Sequence, residues 1–283
     1  MIIDGRKIRD EIKEQLKEKI KNLHKDLRLA IVLVGENLVS LKFVEEKKKF
    51  GLEIGVDTRV YKFDEAISTT ALRDKLAEIT RIKQNTGIII QLPLPPQINV
   101  QYILNSVPPE KDIDVLSARA LGDFYVGRSP VLPPVVGAVK IILDKIFGDA
   151  ITENLTNKNV VIVGAGRLVG KPLAVWFINK QTTVSVLNKN TADISKFTRD
   201  ADILISGIGA LKFIKANMVK EGAIVIDCGT SVEKTEVGEK YSGDVDFDEV
   251  QKKASHITPV PGGVGPITVA MLFKNLVEIA KIK

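Results

Sequence analysis

The sequence predicts an α/β protein of two domains, and three features carry that prediction. Helical and strand patterns alternate along both halves of the 283-residue chain. The strand patterns are short, apolar and β-branched, as in parallel strands covered by helices on both faces. Proline and glycine gather between residues 93 and 137, in LPLPP, VPPEKD and RSPVLPPVVG, and mark loops and a domain crossing. At roughly 150 residues per domain, the length suits two cores.

Taken in order, residues 7–23 carry Ile8, Ile12, Leu16, Ile20 and Leu23 at helical spacing. LRLAIVLVG (27–35) is an apolar run closed by glycine, which predicts a buried strand. Residues 39–52 read as a helix, VDTRVYKF (56–63) as a strand, 70–82 as a helix and TGIIIQL (86–92) as another buried strand. A second series runs through NVVIVG (159–164), TTVSVL (182–187), ADILISG (201–207) and GAIVIDCG (222–229). A helix over 267–281 closes the chain. Strands separated by helices imply βαβ units and parallel sheets.

Composition excludes several classes of function. With 45% hydrophobic and 27% charged residues the chain is made to fold. Its net charge of +6 suits anionic ligands but is spread along the sequence, without the basic, aromatic-interleaved stripe of a nucleic-acid binder. One cysteine, Cys228, and two histidines, His24 and His256, supply neither an internal disulfide framework nor a Cys/His zinc site, so no metal is expected. MIIDGRKIRDEIK places charges where a signal peptide needs its apolar core. The longest uncharged window, 254–273, holds three prolines and three glycines, unlike a membrane span. The expectation is a cytoplasmic protein with no membrane or nucleic-acid partner.

NVVIVGAGRLVGKP places Gly164, Gly166 and Gly170 straight after a strand and at the start of a helix. Glycine permits the tight turn, and unpaired N–H groups at the helix N-terminus favour a pyrophosphate. This context predicts a Rossmann-type dinucleotide site that uses Gly164, Ala165, Gly166, Arg167, Val169 and Gly170; the plainer reading is an ordinary strand–helix turn. An ATP-type phosphate loop fails on spacing, and Pro172 follows Lys171 where Ser or Thr is required. The second strand ends VLNKNT (186–191), with Lys189 and no carboxylate. A cation there attracts a 2′-phosphate, so NADP is expected over NAD, with Asn188 and Thr191 beside it. A solvated loop lysine is the alternative. Gly207, Gly229 and Thr230, at later strand ends, complete the expected cofactor set.

Several segments go beyond generic pattern. VGEN (34–37), QLPLP (91–95), KDID (111–114), GDVDF (243–247) and ITPVPGGVGPITVAML (257–272) occur in this order. Together they resemble, over essentially the whole chain, the bifunctional methylenetetrahydrofolate dehydrogenase/methenyltetrahydrofolate cyclohydrolases. The resemblance implies an α/β folate-binding domain of residues 1–118 and 268–283, and a Rossmann-type NADP domain of 119–267. The C-terminal helix would pack back on the first domain. It implies oxidation of 5,10-methylenetetrahydrofolate by hydride transfer and hydrolysis of the methenyl product to 10-formyltetrahydrofolate. It also implies a homodimer in cytoplasmic one-carbon metabolism, which serves purine biosynthesis.

By the same resemblance, Lys47, Gln91 and Asp114 are the catalytic residues. Phe43, Ser40, Leu92, Pro93, Pro261, Gly262 and Gly263 are the substrate-binding set. The chemistry is coherent: Phe43 and Lys47 are four apart on one helix face, and an aromatic ring can stack on a flat heterocycle. A desolvated lysine can work as a base, and a carboxylate can accept paired hydrogen bonds from a pterin. The plainer readings are a solvated charge run in EEKKKF, a polar strand end at Gln91 and a turn aspartate at Asp114.

The sequence also departs from the family pattern. Phe43 stands where tyrosine is expected, and Val115 follows KDID where the family has glycine. LPPVVG (132–137) replaces Pro-Cys-Thr-Pro, and the glycine-rich turn lacks the usual Arg-Ser pair. Residues 187–191 replace the CHSxT pattern. Phe43 motivates one alternative, a monofunctional dehydrogenase with weak cyclohydrolase. A non-catalytic dinucleotide sensor is the other, and the joint retention of Lys47, Gln91 and Asp114 argues against it.

Overall fold

The computed structural model describes residues 1–148, 151–235 and 238–282, which form two compact units. One comprises Asp10–Pro134 and Val269–Lys283, the other Met1–Arg9 and Val135–Thr268.

The chain opens with α1 (Gly5–Leu23), β1 (Arg28–Val34), α2 (Leu38–Glu53), β2 (Asp57–Phe63), α3 (Thr69–Arg81) and β3 (Asn85–Ile90). The three strands pair in parallel in the order β2-β1-β3. Central β1 is sealed on both sides, with Leu29, Ala30, Ile31 and Val32 fully buried, which is why its sequence is unbroken LAIV. Side-chain caps start the flanking helices: Asn37 accepts from Ser40 N at the head of α2, and Ser68 from Ala71 N at the head of α3. Leu72, Leu76, Ile88 and Ile103 fill the core beside the sheet.

The proline- and glycine-rich stretch holds more helix than its composition predicts. It contains α4 (Val100–Leu104), α5 (Ala118–Tyr125) and the start of α6 (Pro134–Phe147). Ser117 caps α5, and Pro134 occupies the first position of α6, where its missing N–H is of no consequence.

After α7 (Ile151–Leu155) come β4 (Asn159–Val163), α8 (Gly170–Asn179), β5 (Thr183–Leu187), α9 (Ser195–Thr198), β6 (Ile203–Ser206) and β7 (Ile224–Asp227). Then follow β8 (Ser231–Thr235), β9 (Gly238–Ser242), α10 (Phe247–Val250), β10 (His256–Ile257) and α11 (Val264–Ile282). β4–β7 and β10 form a parallel sheet in the order β10-β7-β6-β4-β5. Counted along the chain that is the doubly wound order 2-1-3-4-5, whose direction reverses between β4 and β6. β8 and β9 add an antiparallel hairpin that the sequence reading does not contain.

The units differ from the expected boundaries in two places. The division falls at 134/135 rather than 118/119, because α5 and the loop after it stay with the first sheet's unit. The N-terminal nine residues join the other unit: Ile2 bridges Ile257, Ile3 N donates to Ile257 O at 2.8 Å, and Gly5 N donates to Gly262 O at 2.9 Å. From Val269 onward α11 belongs to the unit of the first sheet. There Asn275 Nδ2 donates to Ile113 O and Leu132 O, each at 2.8 Å, and Phe273 lies 5.2 Å from Phe50 between ring centres. Among the described residues, no helix is long and apolar enough to cross a membrane.

Candidate active site and cofactor turn

Ser40, Val44, Lys47, Phe50 and Gly51 form the buried face of α2. Lys42, on the same helix, and Lys48 and Lys49, beside it in EEKKKF, are exposed, whereas Lys47 is only 8% exposed. Lys47 Nζ donates to Gln91 Oε1 at 2.7 Å. Gln91 sits just beyond β3, where its backbone N donates to Val32 O at 2.9 Å and its Nε2 to Leu92 O at 2.7 Å. The amide is thereby oriented with its oxygen toward the lysine.

Burial lowers the Lys47 pKa, with the charge of Asp114 pulling the other way. Asp114 keeps part of its surface in water, yet burial among protein atoms pushes its pKa up to about 6. Lys47 opposes that rise and Asp112 adds to it. Lys47, Gln91 and Asp114, the three catalytic residues expected from the sequence, are thus brought together.

The loop that carries Asp114 is pinned by residues to which the sequence alone assigns no role. Lys111 Nζ donates to Thr80 O at 2.8 Å and Ile82 O at 3.0 Å. Buried Asp112 accepts from Leu116 N at 3.1 Å and Ser117 N at 2.8 Å. Val115, fully buried, has φ +55°, the left-handed backbone that suits the glycine expected there. For a β-branched residue this costs about 1–2 kcal/mol, which burial of its side chain, at about 1.5–3 kcal/mol, offsets. Asp112, as the first acid of KDID, was visible in the motif; Asn275, anchoring Ile113 from α11, had no local signal.

Phe43, one turn before Lys47 on α2, is 40% exposed and free to present its ring. Ser40 is buried, and its Oγ has no hydrogen-bond partner among the described residues. Leu92 is half-buried and Pro93 exposed, directly after Gln91. Pro261, Gly262 and Gly263 belong to the other unit. There Gly262 has φ +107°, and a Cβ on Gly263 would lie 2.5 Å from Pro259 O.

The glycine-rich turn lies between β4 and α8, at the reversal of strand order. A Cβ on Gly164 would fall 2.6 Å from Gly207 O, and one on Gly170 only 1.7 Å from Gly164 O. These glycines let the strand, the helix and the turn after β6 close on one another. Around Gly166 the space is open, with nothing within 4 Å of a Cβ. Val169, at the N-cap of α8, offers no side-chain acceptor to the first N–H groups of the helix. Lys171 N donates to Gly166 O at 3.0 Å within the turn, and an open glycine before a helix N-terminus without a side-chain cap fits a bound pyrophosphate. Ala165 and Arg167 are half-buried along the same turn. Gly170→Ala should therefore lose NADP affinity and destabilise the protein by about 3 kcal/mol, at the upper end for overpacking. Calorimetric titration and thermal unfolding check both.

The turn after β5 is tied by its own polar groups: Asn188 N donates to Thr191 Oγ1 at 3.1 Å, and Asn190 N to Asn188 Oδ1 at 2.9 Å. It leaves Lys189 exposed at its tip. Gly229 is buried against Asp244, and Thr230 is exposed. Among the described residues no group of His, Cys, Asp and Glu is placed to hold a metal.

Residues 3–114 match the family model described as tetrahydrofolate dehydrogenase/cyclohydrolase, catalytic domain, and residues 142–283 match the NAD(P)-binding domain of the same family. The chain belongs to this family. Among tetrahydrofolate dehydrogenase/cyclohydrolases, it is 39% identical to the bifunctional protein FolD of Hydrogenobaculum sp. over 282 residues, 99% of this chain and 98% of that one. The crystal structure of the bifunctional FolD enzyme from Campylobacter jejuni superposes with a TM-score of 0.93 at 40% identity, covering 100% of this chain and 99% of that chain. The Trypanosoma brucei enzyme, solved with NADP and an inhibitor, gives a TM-score of 0.93 at 31% identity, covering 100% and 97%.

Proposed function

We propose that this tetrahydrofolate dehydrogenase/cyclohydrolase oxidises 5,10-methylenetetrahydrofolate with NADP and hydrolyses the methenyl product to 10-formyltetrahydrofolate, with Lys47, Gln91 and Asp114 as its catalytic group. The observation that carries this reading is the buried 2.7 Å contact from Lys47 Nζ to Gln91 Oε1, beside a carboxyl of raised pKa. A burial-depressed amine is costly to maintain and has no purpose in a passive dinucleotide sensor.

NADP, when bound, supplies the acceptor for the hydride that leaves the methylene carbon. For that step the residues of this chain mainly orient: Asp114 accepts hydrogen bonds from the amide N–H and amino group of the pterin, and Phe43 stacks on its ring. Hydrolysis asks more of the protein. As water attacks the methenyl carbon, the Lys47 amine, its pKa lowered by burial, takes the water's proton and then returns one to the ring nitrogen whose bond to that carbon breaks. Gln91 accepts the Nζ–H bond and so directs the amine lone pair. The net change is addition of water and release of one proton.

Phe43 favours full bifunctionality if the ring stacks and needs no phenol. Phe43→Tyr should then change either activity by less than about tenfold, since one solvent-reachable hydrogen bond contributes about 0.5–1.5 kcal/mol. A larger rise in hydrolysis alone would favour the monofunctional reading, with weak cyclohydrolase in the wild type.

NADP rather than NAD is the preferred cofactor in this reading, through Lys189, with Asn188 and Thr191 shaping its turn. Lys189→Ala should raise the NADP KM by roughly tenfold and leave NAD nearly unchanged, because a charge-assisted contact to phosphate contributes about 1.5–3 kcal/mol. Equal use of NAD and NADP by the wild type would refute this assignment. The same reading includes a cytoplasmic homodimer, for which sedimentation at working concentration is the test.

A further inference from the structure

The GDVDF segment takes no part in the chemistry above, yet its Asp244 is fully buried and heavily bonded. Its Oδ2 accepts from Ser206 Oγ and Ile208 N, and its Oδ1 from Ala210 N, each at 2.8 Å. All three donors lie in residues 206–210, the end of β6 and the turn that follows. A buried carboxylate is costly unless its oxygens are satisfied, and here one short turn satisfies them.

Asp227, at the end of β7, interlocks with it. Its Oδ1 accepts from Gly229 N at 2.9 Å and its Oδ2 from Val245 N at 2.8 Å. The packing is close: a Cβ on Gly229 would lie 2.2 Å from the Asp244 carboxyl, and one on Gly243 2.1 Å from Asp227 Oδ2. Gly229 is therefore required to make room for Asp244, whatever else it touches.

The position of the anchored turn gives this bonding its meaning. β6 neighbours β4 at the reversal of strand order, where open α/β sheets hold their ligand beyond the strand C-termini. Gly207 O faces Gly164 of the glycine-rich turn, so residues 207–210 form the β6 side of that crevice. Gly209, with φ +68° and nothing within 4 Å of a Cβ, supplies no side chain to hold the turn. Three hydrogen bonds to one carboxylate select a single shape for it.

We propose that Asp244 is a positioning residue for the dinucleotide: it holds residues 207–210 in the shape that accepts the cofactor, so the dehydrogenase depends on it and the cyclohydrolase does not. The proposal rests on the cofactor reading above. The test is Asp244→Asn in the full chain. An amide has one acceptor oxygen, so its Nδ2 must face an N–H or O–H donor on one side, and the turn is released there. The NADP KM and calorimetric Kd should rise by about tenfold or more, with a smaller change in kcat at saturating NADP. Hydrolysis of methenyltetrahydrofolate supplied directly, without nucleotide, should stay within about twofold, since Lys47, Gln91 and Asp114 belong to the other unit and the three hydrogen bonds of the Asp244 carboxylate run to residues 206–210 rather than to Pro261, Gly262 and Gly263.

Ser206→Ala keeps the test decisive if Asp244→Asn does not fold. It deletes one hydroxyl donor and leaves the carboxylate, and should raise the NADP KM about two- to fivefold. Wild-type NADP binding in the folded variants overturns the proposal, as does an equal loss of both activities, which marks a purely structural carboxylate. If the wild type itself binds no NADP, the cofactor reading fails and this proposal with it; normal wild-type binding with unaffected variants defeats this proposal alone.

Discussion

Lys47→Met should lower the hydrolysis of methenyltetrahydrofolate by about 10²–10⁴-fold, the range supplied by a positioned acid–base group. Methionine keeps most of the side-chain volume on the buried face of α2 and removes the amine that relays the proton in this mechanism. The variant should remain folded. Loss of a buried amine relieves desolvation, which offsets the about 1–3 kcal/mol cost of leaving Gln91 Oε1 unpaired. Dehydrogenase activity should fall less, because hydride transfer requires orientation and no proton relay. Decay of the methenyl absorbance gives the rate directly. Wild-type hydrolysis in a folded variant would remove Lys47 from the mechanism.

Asp114→Asn should reduce kcat/KM for the folate substrate by about a hundredfold in both reactions. It replaces one acceptor oxygen with a donor facing a pterin N–H, and charge-assisted bonds of this kind contribute about 1.5–3 kcal/mol each. The pH dependence gives an independent check. Asp114 has a pKa raised to about 6, so its carboxylate form is present above that pH and is lost as the pH falls through it. The wild-type folate KM should therefore rise below about pH 6, and the variant should lack that limb. A variant with an unchanged KM and the same acid limb would show that Asp114 does not hold the substrate.

Much of the fold was legible because its inner strands are buried on both faces and read as unbroken apolar runs, as in β1 and β4, while the edge strand β2 alternates. α5 and α6 were hidden by composition, although Ser117 and Pro134 are ordinary start signals. The hairpin of β8 and β9 lacks the apolar run that marks the buried strands. The membership of residues 1–9 was illegible for another reason: it depends on pairing Ile2 with Ile257, a contact with no local trace.

The candidate site divides in the same way. Nothing in EEKKKF distinguishes Lys47 from Lys48 or Lys49, but its place seven residues after Ser40 and three before Phe50 puts it on the buried face. Gln91 was legible at a strand end. Asn275 and Asp244 act through hydrogen bonds to distant backbone, so their roles emerge only in the folded chain, although GDVDF marks the segment of Asp244.

The claim that one protein runs both reactions is tested most directly by mixing it with methylenetetrahydrofolate and NADP and recording NADPH and methenyl absorbance together. NADPH should accumulate while methenyltetrahydrofolate rises transiently and then decays to 10-formyltetrahydrofolate faster than in protein-free buffer. Accumulation of the methenyl species in step with NADPH, decaying only at the protein-free rate, would contradict a cyclohydrolase; no NADPH would contradict the dehydrogenase.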